Sequence, residues 1–200
     1  PFYTPSEIWV GSEASVGAQV VVPSVRGDKV LWMCGGDVPL APCDAKIKSK
    51  LNKGGVKKLD DLKRFSALRD VLKSVDAWVL QELAPRSDVD LSGRSDAMLA
   101  VYPGDGSRFQ AHVDNTSSDG RRLTVLTYLN PEWDWHNGGA LRLHVAPQPK
   151  DVLPLAGRLA VFYSDRIKHE VMPTWHKNRV AVTLWYYAKE ERQAALHSAA

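Results

Sequence analysis

The stretch FQAHVDN, residues 109–115, carries His112 and Asp114 two positions apart. On a strand, side chains alternate between faces, so the imidazole and the carboxylate point the same way and Val113 points the other. Such a pair is either two ligands of one metal ion or a polar strand edge. Two further residues favour the ligands: His169, in KHEVMP, and Arg179, which opens RVAVTLWYY. Two imidazoles and one carboxylate on one face form the triad that holds non-haem Fe(II) and leaves adjacent coordination positions open. A cosubstrate can chelate through two of these positions and dioxygen can take the third, which a closed four-ligand structural site forbids.

Arg179 extends the pattern. In a regular strand it shares a face with Ala181, Thr183, Trp185 and Tyr187, and a guanidinium among apolar groups requires an anion. A dicarboxylate satisfies this with one end on iron and the other in the planar fork of the arginine; 2-oxoglutarate has that shape. In RLTVLTYL, Tyr128 shares a face with Thr124 and Leu126, and it is either a second donor to the far carboxylate or a core tyrosine with its hydroxyl at the rim. A zinc hydrolase can use two His and one Asp but gives Arg179 and Tyr128 no task.

These residues need a scaffold that brings distant segments together. From Ser95 onward the hydrophobic period is two, and AMLAVY (97–102), FQAHVD (109–114), RLTVLTYL (122–129), ALRLHV (140–145), RLAVFY (158–163), KHEVMP (168–173) and RVAVTLWYY (179–187) read as strands between turns such as PGDG, SSDG and NGG. Many short strands without intervening helices predict a mainly β (α+β) fold with a double-stranded β-helix, or jelly roll, at its core. Further strands are expected between Ile8 and Met33. Residues 35–58, punctuated by Gly and Pro and rich in Lys, read as a long variable loop. A supporting helix is expected over 59–84, where Leu59, Leu62, Phe65, Leu68, Leu72, Val75 and Val79 form one apolar stripe that Pro85 ends. The closing AKEERQAALHSAA can form a helix that frays.

With 200 residues, 44% of them hydrophobic, the chain suits one domain with a real core. A net charge of +3 from 26 basic and 23 acidic residues gives little pull on nucleic acid, and no apolar run approaches the roughly 18 residues of a membrane-spanning helix. Cys34 and Cys43 form no disulfide framework, which fits a reducing compartment. The chain opens at Pro1 without an initiator Met, as an excised domain or processed form would.

Taken in order, YPGDGSRFQAHVDN, DGRRLTVLTYLNPEWD, GGALRL, SDRIKHEVMP and RVAVTLWYY, with VRGDKVLWM near the start, resemble the catalytic domain of the hypoxia-inducible-factor prolyl 4-hydroxylases and their protist relatives. The resemblance covers most of residues 25–37 and nearly all of 95–188 and implies a single catalytic domain over 1–200. It implies that His112, Asp114 and His169 ligate Fe(II), that Arg179 and Tyr128 hold the distal carboxylate of 2-oxoglutarate, and that Tyr102 and Thr183 line that pocket. Arg121 and Trp185 match positions shaping the entrance for a proline-bearing peptide. Arg26 and Asp28 match a pair that organises the substrate-covering loop.

The implied activity is hydroxylation of a specific proline of an intracellular protein, oxygen-responsive, with O2 as cosubstrate and ascorbate as accessory reductant. The implied partner is a transcription-factor degradation motif, the adaptor of a cullin ubiquitin ligase or a translation factor, with the Lys-rich loop inclining toward the adaptor. A monomer in the cytoplasm or nucleus, binding neither nucleic acid nor membrane, is expected. Phe109 departs from a Tyr common in animal members, and EVMPTWHKN, between His169 and Arg179, is one residue longer than theirs. His136, His144, His176 and His197 are expected in surface or loop roles. A nucleic-acid demethylase usually carries a second Arg where this chain has Trp185, and a silent binding module would be expected to have lost a ligand or Arg179.

Overall fold

The computed structural model describes residues 4–5, 8–10, 18–20, 24–33 and 65–198. The Lys-rich segment at 35–58, both cysteines and residues 59–64 of the expected helix lie outside the described residues. In chain order the strands are β1 Thr4–Pro5, β2 Ile8–Val10, β3 Ala18–Val20, β4 Lys29–Met33, β5 Leu91–Arg94, β6 Ala97–Tyr102, β7 Phe109–His112, β8 Arg121–Tyr128, β9 Leu141–Leu143, β10 Lys150–Val152, β11 Leu159–Tyr163, β12 His169–Val171 and β13 Arg179–Ala188. Helix α1 spans Ser66–Trp78 and α2 spans Lys189–Ser198.

The larger sheet runs β1-β4-β6-β13-β8-β11, with β5 also on β13; the smaller runs β10-β9-β12-β7, and β2 pairs with β3. The named strand pairs are antiparallel. Strand alternation sorts the larger sheet into two faces. Leu99, Leu123, Val125, Val182, Leu184 and Tyr186 pack outward against Leu72, Val75 and Val79 of the helical segment. Tyr102, Tyr128, Leu126, Ala181 and Trp185 turn inward and meet Leu141 and Val171 of the smaller sheet. This is the expected jelly-roll core, with a helix covering one outer face.

All seven strands expected from Ser95 onward form, several of them shorter than their apolar patterns. Strands β5 and β10 were not anticipated, because LSGR and KDV are too short and polar to show a period. The apolar stripe of α1 packs from Leu68 onward, whereas Phe65, just outside the first helical turn, is exposed. Pro85 also acts less abruptly than a simple stop. Lacking an N–H, it interrupts the i→i−4 ladder; Ala84, the donor before it, reaches back to the Val79 carbonyl, and Val79–Leu83 opens into a π-helical turn before the 3-10 turn Ala84–Arg86.

A buried ion pair ties the helix to the sheet. Arg94 at the end of β5 donates from Nε (2.7 Å) and Nη2 (3.0 Å) to the two carboxylate oxygens of Asp76 on α1, and the Tyr186 hydroxyl donates to the same carboxylate at 2.6 Å. Burial, reinforced by the Asp76 charge, pushes the Tyr186 hydroxyl far above the ordinary phenol range, so it remains a donor. At the other end of the chain, Glu191 on α2 accepts from Arg122 (2.7 Å) and from the Asn115 side chain (3.3 Å), and Arg192 donates to the Asp119 carbonyl (3.1 Å). The first turn of α2 is thereby bolted to residues 115–120. Replacing Asp76 by Ala, which strands a buried guanidinium, is expected to cost about 3–5 kcal/mol. In urea unfolding this appears as a lowered midpoint at unchanged slope, and a loss below about 1 kcal/mol would show the pair contributes no more than a surface bridge.

Candidate active site

Strands β7 and β12 are neighbours in the smaller sheet, and their register sets His112 directly opposite His169. Both rings are oriented by the backbone: His112 Nδ1 lies 2.8 Å from the Gln110 carbonyl and His169 Nδ1 lies 3.0 Å from the Ile167 carbonyl. A carbonyl only accepts, so each Nδ1 carries the proton and each Nε2 presents a lone pair. Asp114 Oδ1 is 3.4 Å from His112 Nε2 and 3.7 Å from His169 Nε2, and the donor atoms of the three residues all lie within 4.8 Å of one another.

Asp114 does not share the strand of His112. β7 ends at His112, so Asp114 sits on the bend beyond the strand, and tertiary hydrogen bonds rather than pleat alternation aim its carboxylate. Burial alone would raise the Asp114 pKa, but the two imidazoles and the Thr124 hydroxyl hold it well below the usual carboxylate range. Burial, opposed by the Asp114 charge, pushes His169 below its ordinary value. An ionised carboxylate beside a neutral imidazole is the protonation state a metal requires.

Arg179 is 1% exposed. It lies opposite Tyr102 on β6, and Ala181, two residues on, lies opposite Tyr128 on β8. The guanidinium carbon consequently sits 5.0 Å from the Tyr102 ring centre and 5.2 Å from that of Tyr128. Its Nε donates to the Gly139 carbonyl at 2.7 Å, leaving Nη2 buried without a partner, as is the Tyr128 hydroxyl. Burial raises both tyrosine pKa values, against the opposing pull of Arg179, so both hydroxyls stay protonated. Two buried donors with no acceptor define a place for an anion. Thr183 is buried on the same strand between Arg179 and Trp185.

Sequence reasoning missed Gly139, read only as part of a turn. A Cβ at this residue, whose φ is +66°, would stand 2.9 Å from Arg179 Cδ and 3.0 Å from the Thr174 hydroxyl. The second glycine of NGG therefore makes room for the arginine.

The residues assigned to the entrance fall into two groups, each reaching a triad residue through an aromatic ring. Arg26 forms a two-pronged pair with Asp28 (2.7 and 2.9 Å) and lies 4.6 Å over the Phe109 ring, which stacks on His112 at 3.8 Å. Arg121 pairs with Asp119 and lies 5.5 Å from the Trp185 ring, itself 6.0 Å from Trp32. Trp185 also reaches the triad directly, its indole N–H donating to Asp114 Oδ2 at 3.0 Å. Tyr187 departs from the expected face: the register of β13 against β8 shifts between Tyr186 and Tyr187, and the Tyr187 ring meets Arg192 at 4.3 Å. His136, His144, His176 and His197 lie outside the triad; His144 pairs with Glu170 at 3.1 Å.

The donor set, two imidazoles and one carboxylate, fits Fe(II), and the unspent donors of Arg179 and Tyr128 fit the far carboxylate of 2-oxoglutarate. Residues 97–187 match the family model of the 2OG-Fe(II) oxygenase superfamily. The chain is 45% identical over 138 residues to a hypoxia-inducible factor prolyl hydroxylase of Caenorhabditis elegans, covering 67% of this chain and 19% of that protein. It is 35% identical over 191 residues to the prolyl hydroxylase EGLN3 of Mus musculus, covering 92% of this chain and 68% of that protein. Among solved structures, a Trichoplax adhaerens prolyl hydroxylase in complex with a hypoxia-inducible factor oxygen degradation domain peptide fragment matches with a TM-score of 0.72 at 31% identity, covering 97% of this chain and 74% of that one. A Pseudomonas putida prolyl-4-hydroxylase matches at 0.57 and 27% identity over 84% of this chain and 75% of that one. With its iron triad, its buried anion pocket and these relatives, the chain belongs to the 2OG-Fe(II) oxygenase superfamily and, within it, to the prolyl hydroxylases of the hypoxia-inducible-factor type.

Proposed function

We propose that this chain is the catalytic unit of an oxygen-responsive prolyl 4-hydroxylase acting on a proline of an intracellular protein. The observation that carries the proposal is the joining, inside one barrel, of the His112–Asp114–His169 cluster with the two unpartnered donors at Arg179 and Tyr128. When bound, Fe(II) supplies the chemistry by which dioxygen and 2-oxoglutarate give succinate, carbon dioxide and a hydroxylated C–H bond. The chain's own residues bind and orient. His112 and His169 offer Nε2, Asp114 offers Oδ1, and Arg179 with Tyr128 fixes the cosubstrate by its far end while Tyr102 and Thr183 line its pocket. The apolar side chains of both sheets exclude water.

Arg121 and Trp185 form one wall of the peptide entrance, and Arg26 with Asp28 braces Phe109 on the other. The solved relative from Trichoplax adhaerens holds a factor-derived peptide, which supports a proline-bearing segment of a regulatory protein as the substrate class. Within that class our candidates are a degradation motif of a transcription factor, a cullin-ligase adaptor and a translation factor, met by a monomeric enzyme in the cytoplasm or nucleus.

The test is succinate formation from 2-oxoglutarate under Fe(II) and air, with peptides and full-length candidates bearing the proline. Substrate-stimulated turnover and a product heavier by one oxygen atom, both lost in His112→Ala, are expected; no succinate from folded, iron-loaded protein with any of them would overturn the proposal. Tyr128→Phe is expected to weaken 2-oxoglutarate binding by about 1.5–3 kcal/mol, roughly 10- to 150-fold, measured calorimetrically on the metal-loaded protein. Unchanged binding would place the far carboxylate elsewhere. Arg179→Lys keeps the charge and loses the fork, so binding should fall while thermal stability drops little.

A further inference from the structure

Only one of the two carboxylate oxygens of Asp114 faces the imidazoles. Oδ1 carries both approaches, to His112 and to His169, while Oδ2 turns into the protein and accepts from the Thr124 hydroxyl at 2.7 Å and from the Trp185 indole at 3.0 Å. The Thr124 oxygen also lies 2.8 Å from the Ser164 hydroxyl. A hydroxyl has one proton to give, and Thr124 spends its own on the carboxylate, so Ser164 is the donor in the second bond. A directed relay results, from Ser164 to Thr124 to Asp114, with Trp185 closing on the same oxygen from the other side.

The relay is built into the sheet. Thr124 lies opposite Trp185 on β13 and opposite Phe162 on β11, and Ser164 directly follows β11. All three side chains belong to buried residues. Each is fixed by backbone bonds as well: Ser164 N–H donates to the Arg122 carbonyl at 2.9 Å, and Ser164 accepts from Asn115 N–H, next to Asp114, at 2.9 Å. Trp185 N–H donates to the Ser95 hydroxyl at 3.1 Å, and its carbonyl accepts from Ser95 N–H at 2.8 Å.

We propose that Thr124, Ser164 and Trp185 are positioning residues that hold Asp114 as a one-oxygen ligand. A carboxylate with a free second oxygen can rotate and chelate an ion through both, and the extra bond would take a coordination position that the cosubstrate and dioxygen need. Two hydrogen bonds to Oδ2 prevent that rotation. Trp185 thus has two duties, with its ring on the entrance and its N–H on the metal ligand.

The inference rests on the metal-centre reading, and the test keeps the two apart by using Co(II) as probe on the whole chain, without any prolyl substrate. Calorimetry gives Co(II) affinity, the visible absorption reports the coordination, and a second titration gives 2-oxoglutarate affinity of the Co(II) form. Wild type is expected to bind one Co(II) and then 2-oxoglutarate; if it binds no Co(II), the metal-centre reading fails and this inference fails with it. Thr124→Val should bind Co(II) about 10- to 100-fold more weakly, with an altered visible spectrum and weakened 2-oxoglutarate binding, whereas Thr124→Ser, which keeps the hydroxyl, should restore all three. Trp185→Phe should move the spectrum in the same direction. Ser164→Ala, which removes the first donor and leaves the others in place, gives the same shift in smaller measure and carries the test should the valine variant not fold. Folded variants with wild-type spectra and affinities would overturn the proposal, as would failure of the serine variant to rescue.

Discussion

A guanidinium taken out of water without a partner costs several kcal/mol, and the barrel interior is arranged around that constraint. Arg179 enters at the start of the longest strand, slides past a glycine that leaves it room, lies between two tyrosine rings and spends one donor on a backbone carbonyl. What remains unspent beside the Tyr128 hydroxyl is a demand for an anion. A chain selected for stability alone would place an apolar side chain there, as buried ion pairs commonly gain nothing over hydrophobic packing. Retaining the arginine marks the interior as a binding chamber, and the direction of its fork sets which end of a dicarboxylate lies deep and which end faces the metal.

The metal end is organised by a different rule. Neighbouring strands set His112 opposite His169, and two backbone carbonyls fix the tautomers so that both Nε2 atoms face the same point. Nothing in this needs a long side chain or a mobile loop. The carboxylate is the exception, since it stands beyond the end of its strand, and it is accordingly the ligand with tertiary support. The two imidazoles are aimed by local geometry, the carboxylate by groups from three other segments.

This division explains what could be read from the sequence. Strand β11 was legible because one face is buried, which writes a period of two into its residue types, and β6, β8 and β13, buried on both faces, were legible as short apolar runs between turn signals. The triad and Arg179 were legible because their chemistry restricts the residues that can serve. Thr124 was visible only as a member of the Tyr128 face, and Ser164 carried no signal, because a hydroxyl's partner lies tens of residues away and serine is common everywhere. The Asp76–Arg94 pair was hidden for the same reason, within a helix whose apolar stripe accounted for its neighbours. Gly139 looked like turn punctuation, and only the arginine packed against it reveals the second requirement. Trp185 was assigned to the entrance by resemblance alone, and its bond to Asp114 depends on the inward lean of one ring that no pattern encodes.

The segment NTSSDG, residues 115–120, has the composition of a tolerant surface loop, and an engineer seeking a place for an inserted tag or a graft would choose it on those grounds. It would be a poor choice. Asn115 bonds to Glu191 of α2, Arg192 bonds to Asp119, and a Cβ at Gly120 would stand 2.7 Å from the Arg192 backbone at a φ of +93°. The segment begins directly after the carboxylate ligand and is fastened at its far end by the last helix. Its length is consequently as constrained as that of a core strand, and changes made more than seventy residues downstream can be felt at the metal.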